Sequence, residues 1–233
     1  MQGPNTLEHR SKLVKMSKFL LIKRRIKKFD SKISVAGDKS LSIRCLLLAS
    51  QAVGKSKVFN LLMSEDVITT LNSIKKLGIK VSVYKKYCEI FGNGMNGFKF
   101  KKNLIINAGN SGTFGRLILG LLIKSPHKIK LIGDKSLSKR DFSRVMLPLE
   151  KFGAKFYCKK KNMLPLSILG SQSAQGIKYL EDKGSAQCKS SVMFAALNSS
   201  GVTSIKAKKS RNHTELFFKY LNIPIKIKKT KKY

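Results

Sequence analysis

The feature that most restricts this chain is that it lays down one structural plan three times. In each copy a polar, small-residue turn opens a helix rich in Leu and Ala, and a short strand follows. A second helix and residues of β character complete the copy. The first helices open near Lys39, Ser111 and Ser185, 72 and 74 residues apart. A repeat of this kind is one supersecondary unit that gains its core by packing on its neighbours. The pattern predicts short strands at 57–61, 128–132 and 203–207, and second helices at 64–77, 138–152 and 211–221. Gly78, Gly153 and Asn222 supply left-handed caps after the second helices. Strands then follow at 80–85 with 87–91, at 154–159 with 164–169, and at 223–227. The third copy stops after one strand, which would leave an open sheet edge. The expectation is therefore a truncation or a crossover point near residue 233.

Several helices are apolar on more than one face, as in Leu46-Leu47-Leu48-Ala49 and 192–197. A helix apolar nearly all round is a buried helix, so helices should cluster inside and Lys-rich strands should face water. The net charge of +36, from 48 Lys+Arg against 12 Asp+Glu, suits nucleic acid, an anionic surface or acidic ligands. Lysine is scattered everywhere and reads as a solvated surface. Arginine is scarce, and four of the eight, Arg44, Arg116, Arg140 and Arg211, lie at polar turns that start helices. Guanidinium forks hold carboxylate and phosphate oxygens in fixed geometry.

The turns at 37–40, 109–113 and 184–187 combine Gly with hydroxyls or amides at a helix N-terminus. Unpaired N–H groups and the positive dipole end make such a turn an anion site. One alone is an ordinary cap; three at equivalent positions, each with a cation nearby (Lys39 and Arg44, Arg116, Lys189), point to an anionic small molecule. The second-helix turns set Arg140 beside Ser138 and Arg211 beside Ser210. The stretch 49–56 nearly fits a phosphate loop, but helix precedes it and strand follows, the reverse of what that loop needs. Paired carboxylates for acid/base work are not suggested by any spacing. Four cysteines without C-x-x-C spacing and three histidines argue against zinc and suit free thiols in a reducing cytoplasm. Residues 1–30 form a basic extension whose only apolar run, 19–22, is too short for a secretory signal.

Val35-Ala36-Gly37-Asp38-Lys39-Ser40-Leu41-Ser42-Ile43-Arg44 resembles the P-G-D-K-S-x-S-x-R signature of EPSP synthases. Asn110-Ser111-Gly112-Thr113 with Arg116 is similar to G-N-A-G-T-x-x-R, and 133–140 to G-D-x-S-L-x-K-R-P. Ser185-Ala186-Gln187-Cys188-Lys189-Ser190 resembles S-A-Q-V-K-S, and 210–215 resembles S-R-D-H-T-E. Five motifs in order span 33–215.

The resemblance implies an α+β (α/β-type) enolpyruvyl transferase-like domain of three βαβαββ units, helices inside and sheets outside, the third unit incomplete. The units would run near 31–103, 104–172 and 173–233. It implies transfer of the enolpyruvyl group of phosphoenolpyruvate to the 5-hydroxyl of shikimate 3-phosphate, in chorismate and aromatic amino-acid biosynthesis. No metal or cofactor is expected, and the location would be cytoplasmic. By motif, Lys39 should contact both substrates, with Ser40 and Arg44 on shikimate 3-phosphate. Ser185, Ala186, Gln187, Ser210 and Arg211 should complete that site. Asn110, Gly112 and Arg140 should face phosphoenolpyruvate, with Thr113 and Arg116 shaping the turn. Ala36 and Asp141 stand where the family has Pro, and Ser111 where it has Ala. The family's proton-transferring carboxylates lie in a second domain whose motifs are not in this sequence. The chain alone is therefore expected to bind shikimate 3-phosphate weakly without turnover, with a C-terminal half domain as partner. Competing readings are a non-catalytic binding fragment, the related enzyme acting on UDP-N-acetylglucosamine, and a basic nucleic-acid-binding module.

Overall fold

The computed structural model describes Asp30 and residues 32–228. Every helix and strand among them lies in the unit Ala36–Tyr233. The other unit, Met1–Val35, is described only at Asp30 and 32–35, without helix or strand. The basic extension read at 1–30 thus falls, Asp30 apart, outside the described residues.

The first copy runs α1 (Lys39–Gln51), β1 (Val53–Phe59), α2 (Glu65–Lys76), β2 (Lys80–Val83) and β3 (Tyr87–Asn93). The second runs β4 (Ile105–Asn107), α3 (Gly112–Leu121), β5 (Ile129–Ile132), α4 (Ser143–Lys151), β6 (Lys155–Cys158) and β7 (Leu166–Leu169). The third runs β8 (Lys178–Glu181), α5 (Ala186–Leu197), β9 (Ser204–Ala207) and α6 (His213–Tyr220). Each copy carries its own sheet, in the orders β1-β3-β2, β4-β5-β7-β6 and β8-β9. The first strand of a copy pairs parallel with the strand after its first helix, as β4 with β5 and β8 with β9. The hairpin strands add antiparallel. The middle copy thus shows the whole βαβαββ order, and the mixed helix-and-strand class expected from sequence is the one observed.

The same chemistry starts each first helix. Asp38 Oδ1 accepts from Leu41 N at 2.7 Å, Ser111 Oγ from Phe114 N at 3.2 Å, and Ser185 Oγ from Cys188 N at 3.2 Å. A cap of this kind contributes about 1 kcal/mol and fixes where the helix begins. Helices α1, α3 and α5 are buried along most of their length and supply Ile43, Leu46, Leu47, Leu117 and Phe194 to the core. Each such side chain stabilises the fold by roughly 1.5–3 kcal/mol. β1, by contrast, leaves Val53, Gly54, Lys55 and Lys57 exposed, as sheets outside require. Helices α3 and α5 touch backbone to backbone: a Cβ on Gly120 would stand 2.2 Å from the Ser191 carbonyl oxygen.

Two expectations need correction. The helix read at 138–152 is broken into a 3₁₀ turn, Leu137–Lys139, and α4. Arg140 is extended, and the Asp141 carboxylate accepts from Ser143 N at 2.6 Å and Ser143 Oγ at 2.7 Å, so the helix restarts there. The strand read at 223–227 is not formed. Asn222 takes the left-handed cap (φ 54°), Ile223 N donates to the Phe218 carbonyl at 2.8 Å, and Ile223 and Ile225 pack on the core. Gly78 and Gly153 cap the other second helices with φ of 85° and 96°. The near-phosphate-loop stretch is the end of α1 running into β1, as its order implied. Among the described residues no helix is long and apolar enough to cross a membrane. All four cysteines are free thiols.

Candidate functional site

The starts of α1, α5 and α6 are joined by one arginine. Arg44, a turn and a half into α1, is only 3% exposed. Its Nε donates to Thr214 Oγ1 at 2.9 Å, Nη1 to the Ser40 carbonyl at 3.0 Å, and Nη2 to Ser190 Oγ at 3.0 Å. All three acceptors are neutral. Burial pulls its pKa down to about 10, against the opposing pull of Glu215 and Asp38, so it stays charged at neutral pH. A guanidinium has five N–H bonds, so two are left without a described protein partner.

The nearest acid is already engaged. Lys189 Nζ sits 2.5 Å from Glu215 Oε1. The sequence offered Lys189 as a cation for the third turn; the structure buries it and gives it to Glu215. Glu215 Oε2, Ser210 Oγ and His213 Nδ1 are buried without a hydrogen-bond partner among the described residues. Buried polar atoms are nearly always bonded, so three open valences in 210–215 mark a place where something polar belongs. Arg211 is exposed in the same segment, and its charge acts on both Arg44 and His213.

A second cluster forms where α3 meets α5 and the 3₁₀ turn. Arg116 Nη1 donates to Gln187 Oε1 at 3.0 Å and Nη2 to the Asp141 carbonyl at 3.3 Å, with the guanidinium 4.9 Å above the Phe142 ring. Burial lowers the Arg116 pKa, while nearby Cys188 works the other way. Gln187 Nε2 donates to Thr113 Oγ1 at 3.0 Å, so its amide orientation is set at both ends. Arg140 Nη2 reaches Asn110 Oδ1 at 3.5 Å. Gly112 leaves room for both cations: a Cβ there would lie 2.8 Å from Arg116 Nη1 and 3.1 Å from Arg140 Nη1.

The structure therefore gathers Asn110, Gly112, Thr113, Arg116, Arg140 and Gln187 into one cluster, and links Ser40, Arg44 and Ala186 in another. Ala186 takes part through its carbonyl, which accepts from Ser190 Oγ at 2.6 Å. Gln187 lies one residue from Ala186, so α5 belongs to both. Ser185 caps that helix, held by Glu181 Oε2, which accepts from Ser185 N at 2.7 Å. Lys39 is placed elsewhere: its ammonium pairs with Asp66 at 3.0 Å, at the start of α2. Sequence reasoning missed Ser190, Thr214, Asp66 and the buried carboxylate Glu181, which also accepts from Arg144 Nη2 at 3.2 Å. Ser190 closes one of the quoted motifs and Thr214 is the last residue but one of another, and that was the available signal.

The sequence profile of the family described as EPSP synthase (3-phosphoshikimate 1-carboxyvinyltransferase) matches residues 23–233. A 3-phosphoshikimate 1-carboxyvinyltransferase of Thermoanaerobacter sp. (strain X514) is 38% identical over 200 residues, 85% of this chain and 47% of the relative. That of Streptococcus mutans serotype c is 38% identical over 185 residues, 78% of this chain and 43% of the relative. The solved EPSP synthase of Acinetobacter baumannii aligns with TM-score 0.80 and 34% identity over 85% of this chain and 45% of its own. The chain spans about half the length of these relatives.

Proposed function

We infer the function from one premise: the chain belongs to the EPSP synthase family. On that premise it supplies one half of a site that moves the enolpyruvyl group of phosphoenolpyruvate to the 5-hydroxyl of shikimate 3-phosphate. Addition gives a tetrahedral intermediate and elimination releases inorganic phosphate. In this reading Arg44, Ser40, Ser185, Ala186, Gln187, Ser210 and Arg211 hold shikimate 3-phosphate. Asn110, Gly112 and Arg140 hold phosphoenolpyruvate, Thr113 and Arg116 fix the turn and Gln187, and Lys39 leaves Asp66 to touch both. The task of these groups is electrostatic: fixed donors stabilise negative charge where water is excluded. A C-terminal half domain completes the site and brings the proton-transferring carboxylates.

One observation carries the proposal. Arg44 is a buried cation whose described hydrogen-bond partners are all neutral oxygens. A buried charge without a counter-ion is costly, and a ligand oxyanion on its two remaining N–H bonds offsets that cost. The unpartnered hydroxyl of Ser210 adds a donor for the same ligand.

The test is a calorimetric titration of the chain with shikimate 3-phosphate. Saturable binding of one molecule per chain is expected, and no heat at millimolar ligand overturns the proposal. Phosphate release from phosphoenolpyruvate should then require an added C-terminal half; turnover by the chain alone would refute that division of labour.

A further inference from the structure

Two motifs end in residues to which the reading above gives no part, Lys189-Ser190 and Thr214-Glu215. In the fold they meet pairwise. Lys189 pairs with Glu215 at 2.5 Å, and Thr214 Oγ1 donates to Ser190 Oγ at 2.7 Å. The hydroxyl pair lies directly against the Arg44 guanidinium. We infer that Ser190 and Thr214 are positioning residues for Arg44: their paired hydroxyls hold one edge of the guanidinium and leave its other N–H bonds, with the charge unshared, for a ligand oxyanion. The inference rests on the function proposed above for the identity of that ligand.

Nε and Nη2 form one edge of the planar fork, the kind of edge that a carboxylate takes with two parallel bonds. Here two hydroxyl oxygens 2.7 Å apart take it instead. The difference is charge. A carboxylate in that place would neutralise Arg44, and one is at hand in Glu215, next to Thr214 in the chain and close enough to act on the Arg44 pKa. Lys189 holds its Oε1. The ion pair thus keeps one oxygen of the acid occupied while the hydroxyl pair does the holding.

The hydroxyls are also fixed in direction. Arginine only donates, so both oxygens accept from it. Thr214 then donates to Ser190, and Ser190 donates to the Ala186 carbonyl at 2.6 Å. Neither hydroxyl proton is left to rotate. The Ser40 carbonyl takes Nη1 from the third side, one turn back along α1. Three helices therefore set a single orientation of one cation, which is how affinity is gained through preorganisation.

The experiment compares Thr214→Val, which keeps the shape and loses the hydroxyl, with Thr214→Ser, which keeps the hydroxyl and loses the methyl. Both are made in the full chain, with Ser190→Ala as an independent variant should Thr214→Val fail to fold. Affinity for shikimate 3-phosphate is read by calorimetry. Exchange of the Arg44 Nε–H proton with water is read by NMR, the resonance being assigned by its loss in Arg44→Lys. Thr214→Val and Ser190→Ala should weaken binding roughly tenfold, the scale of one hydrogen bond to a charged group, and should speed the exchange. Thr214→Ser should stay within about twofold of the unsubstituted chain on that same scale. Affinity and slow exchange retained in Thr214→Val overturn the inference, and so does an equal loss in Thr214→Ser, because packing would then be the role. If the unsubstituted chain binds no shikimate 3-phosphate, the proposed function fails, and the exchange rate alone decides the positioning: slow in Thr214→Val refutes it, fast upholds it.

Discussion

Arg44 and Arg140 each follow a capped turn in a quoted motif, yet the first is buried under three helices while the second is exposed with one bond at 3.5 Å. Arg116 stands between them, half-buried and clasped by Gln187 and the Phe142 ring. A buried, bonded side chain has already lost its rotamer freedom. An exposed one loses it on binding, at about 0.5–1.5 kcal/mol. The α1/α5/α6 junction is therefore finished by this chain, whereas the region around Arg140 still has ordering to do. Ligand affinity of the isolated chain should come mainly from the first.

The largest test of that contrast is Arg44→Ala against Arg140→Ala. Losing Arg44 should cost about a hundredfold or more in shikimate 3-phosphate affinity, since it removes a buried charge with several bonds. Calorimetry should show a far smaller change for Arg140→Ala; equal damage would erase the distinction between the regions. Next in size, Glu181→Gln should destabilise the chain by about 1–3 kcal/mol, read from the denaturant midpoint. It weakens the buried acceptor of Ser185 N and Arg144. Asp141→Asn, at the exposed turn, should cost less than about 1 kcal/mol. Gly112→Ala comes third. Its Cβ meets the far ends of Arg116 and Arg140 closely and Leu137 Cδ1 at an ordinary 3.7 Å, so stability should shift by less than about 1 kcal/mol. Phosphoenolpyruvate binding should nevertheless weaken, because both cations are displaced. The smallest effect concerns pH. Burial, then the Arg44 charge, hold the His213 pKa below 6.5. The unfolded chain takes up a proton that the folded chain resists, so stability should fall as pH drops below 6.5. His213→Asn should flatten that part of a melting-temperature profile.

Local signals were legible before the fold was known. Asp38, Ser111 and Ser185 begin their helices where a capping residue precedes an apolar run, and Gly78, Gly153 and Asn222 end theirs in the left-handed region. Each is a decision made within a few residues. The misreadings are decisions made at a distance or by a single side chain. Residues 223–227 alternate like a strand, but Ile223 bonds back to α6 and Ile223 and Ile225 pack on the core. Asp141 breaks a helix that periodicity alone would continue. The pairings of Ser190 with Thr214 and of Arg144 with Glu181 join residues 24 and 37 apart, and no spacing rule on one helix reaches that far. Lys39 was legible as a cation but not as the partner of Asp66, which depends on how α1 and α2 lie together.

Gly120 sits nine residues beyond Ser111, about 13 Å down the axis of α3, with its backbone resting on the Ser191 carbonyl. A methyl group there is a wedge driven between the end of α3 and the middle of α5. It would lever Ser111 and Ser185 apart and so spoil the hold of Arg116 on Gln187 without touching a single ligand-facing atom. Chemistry at one end of α3 is thereby hostage to the absence of one carbon near the other.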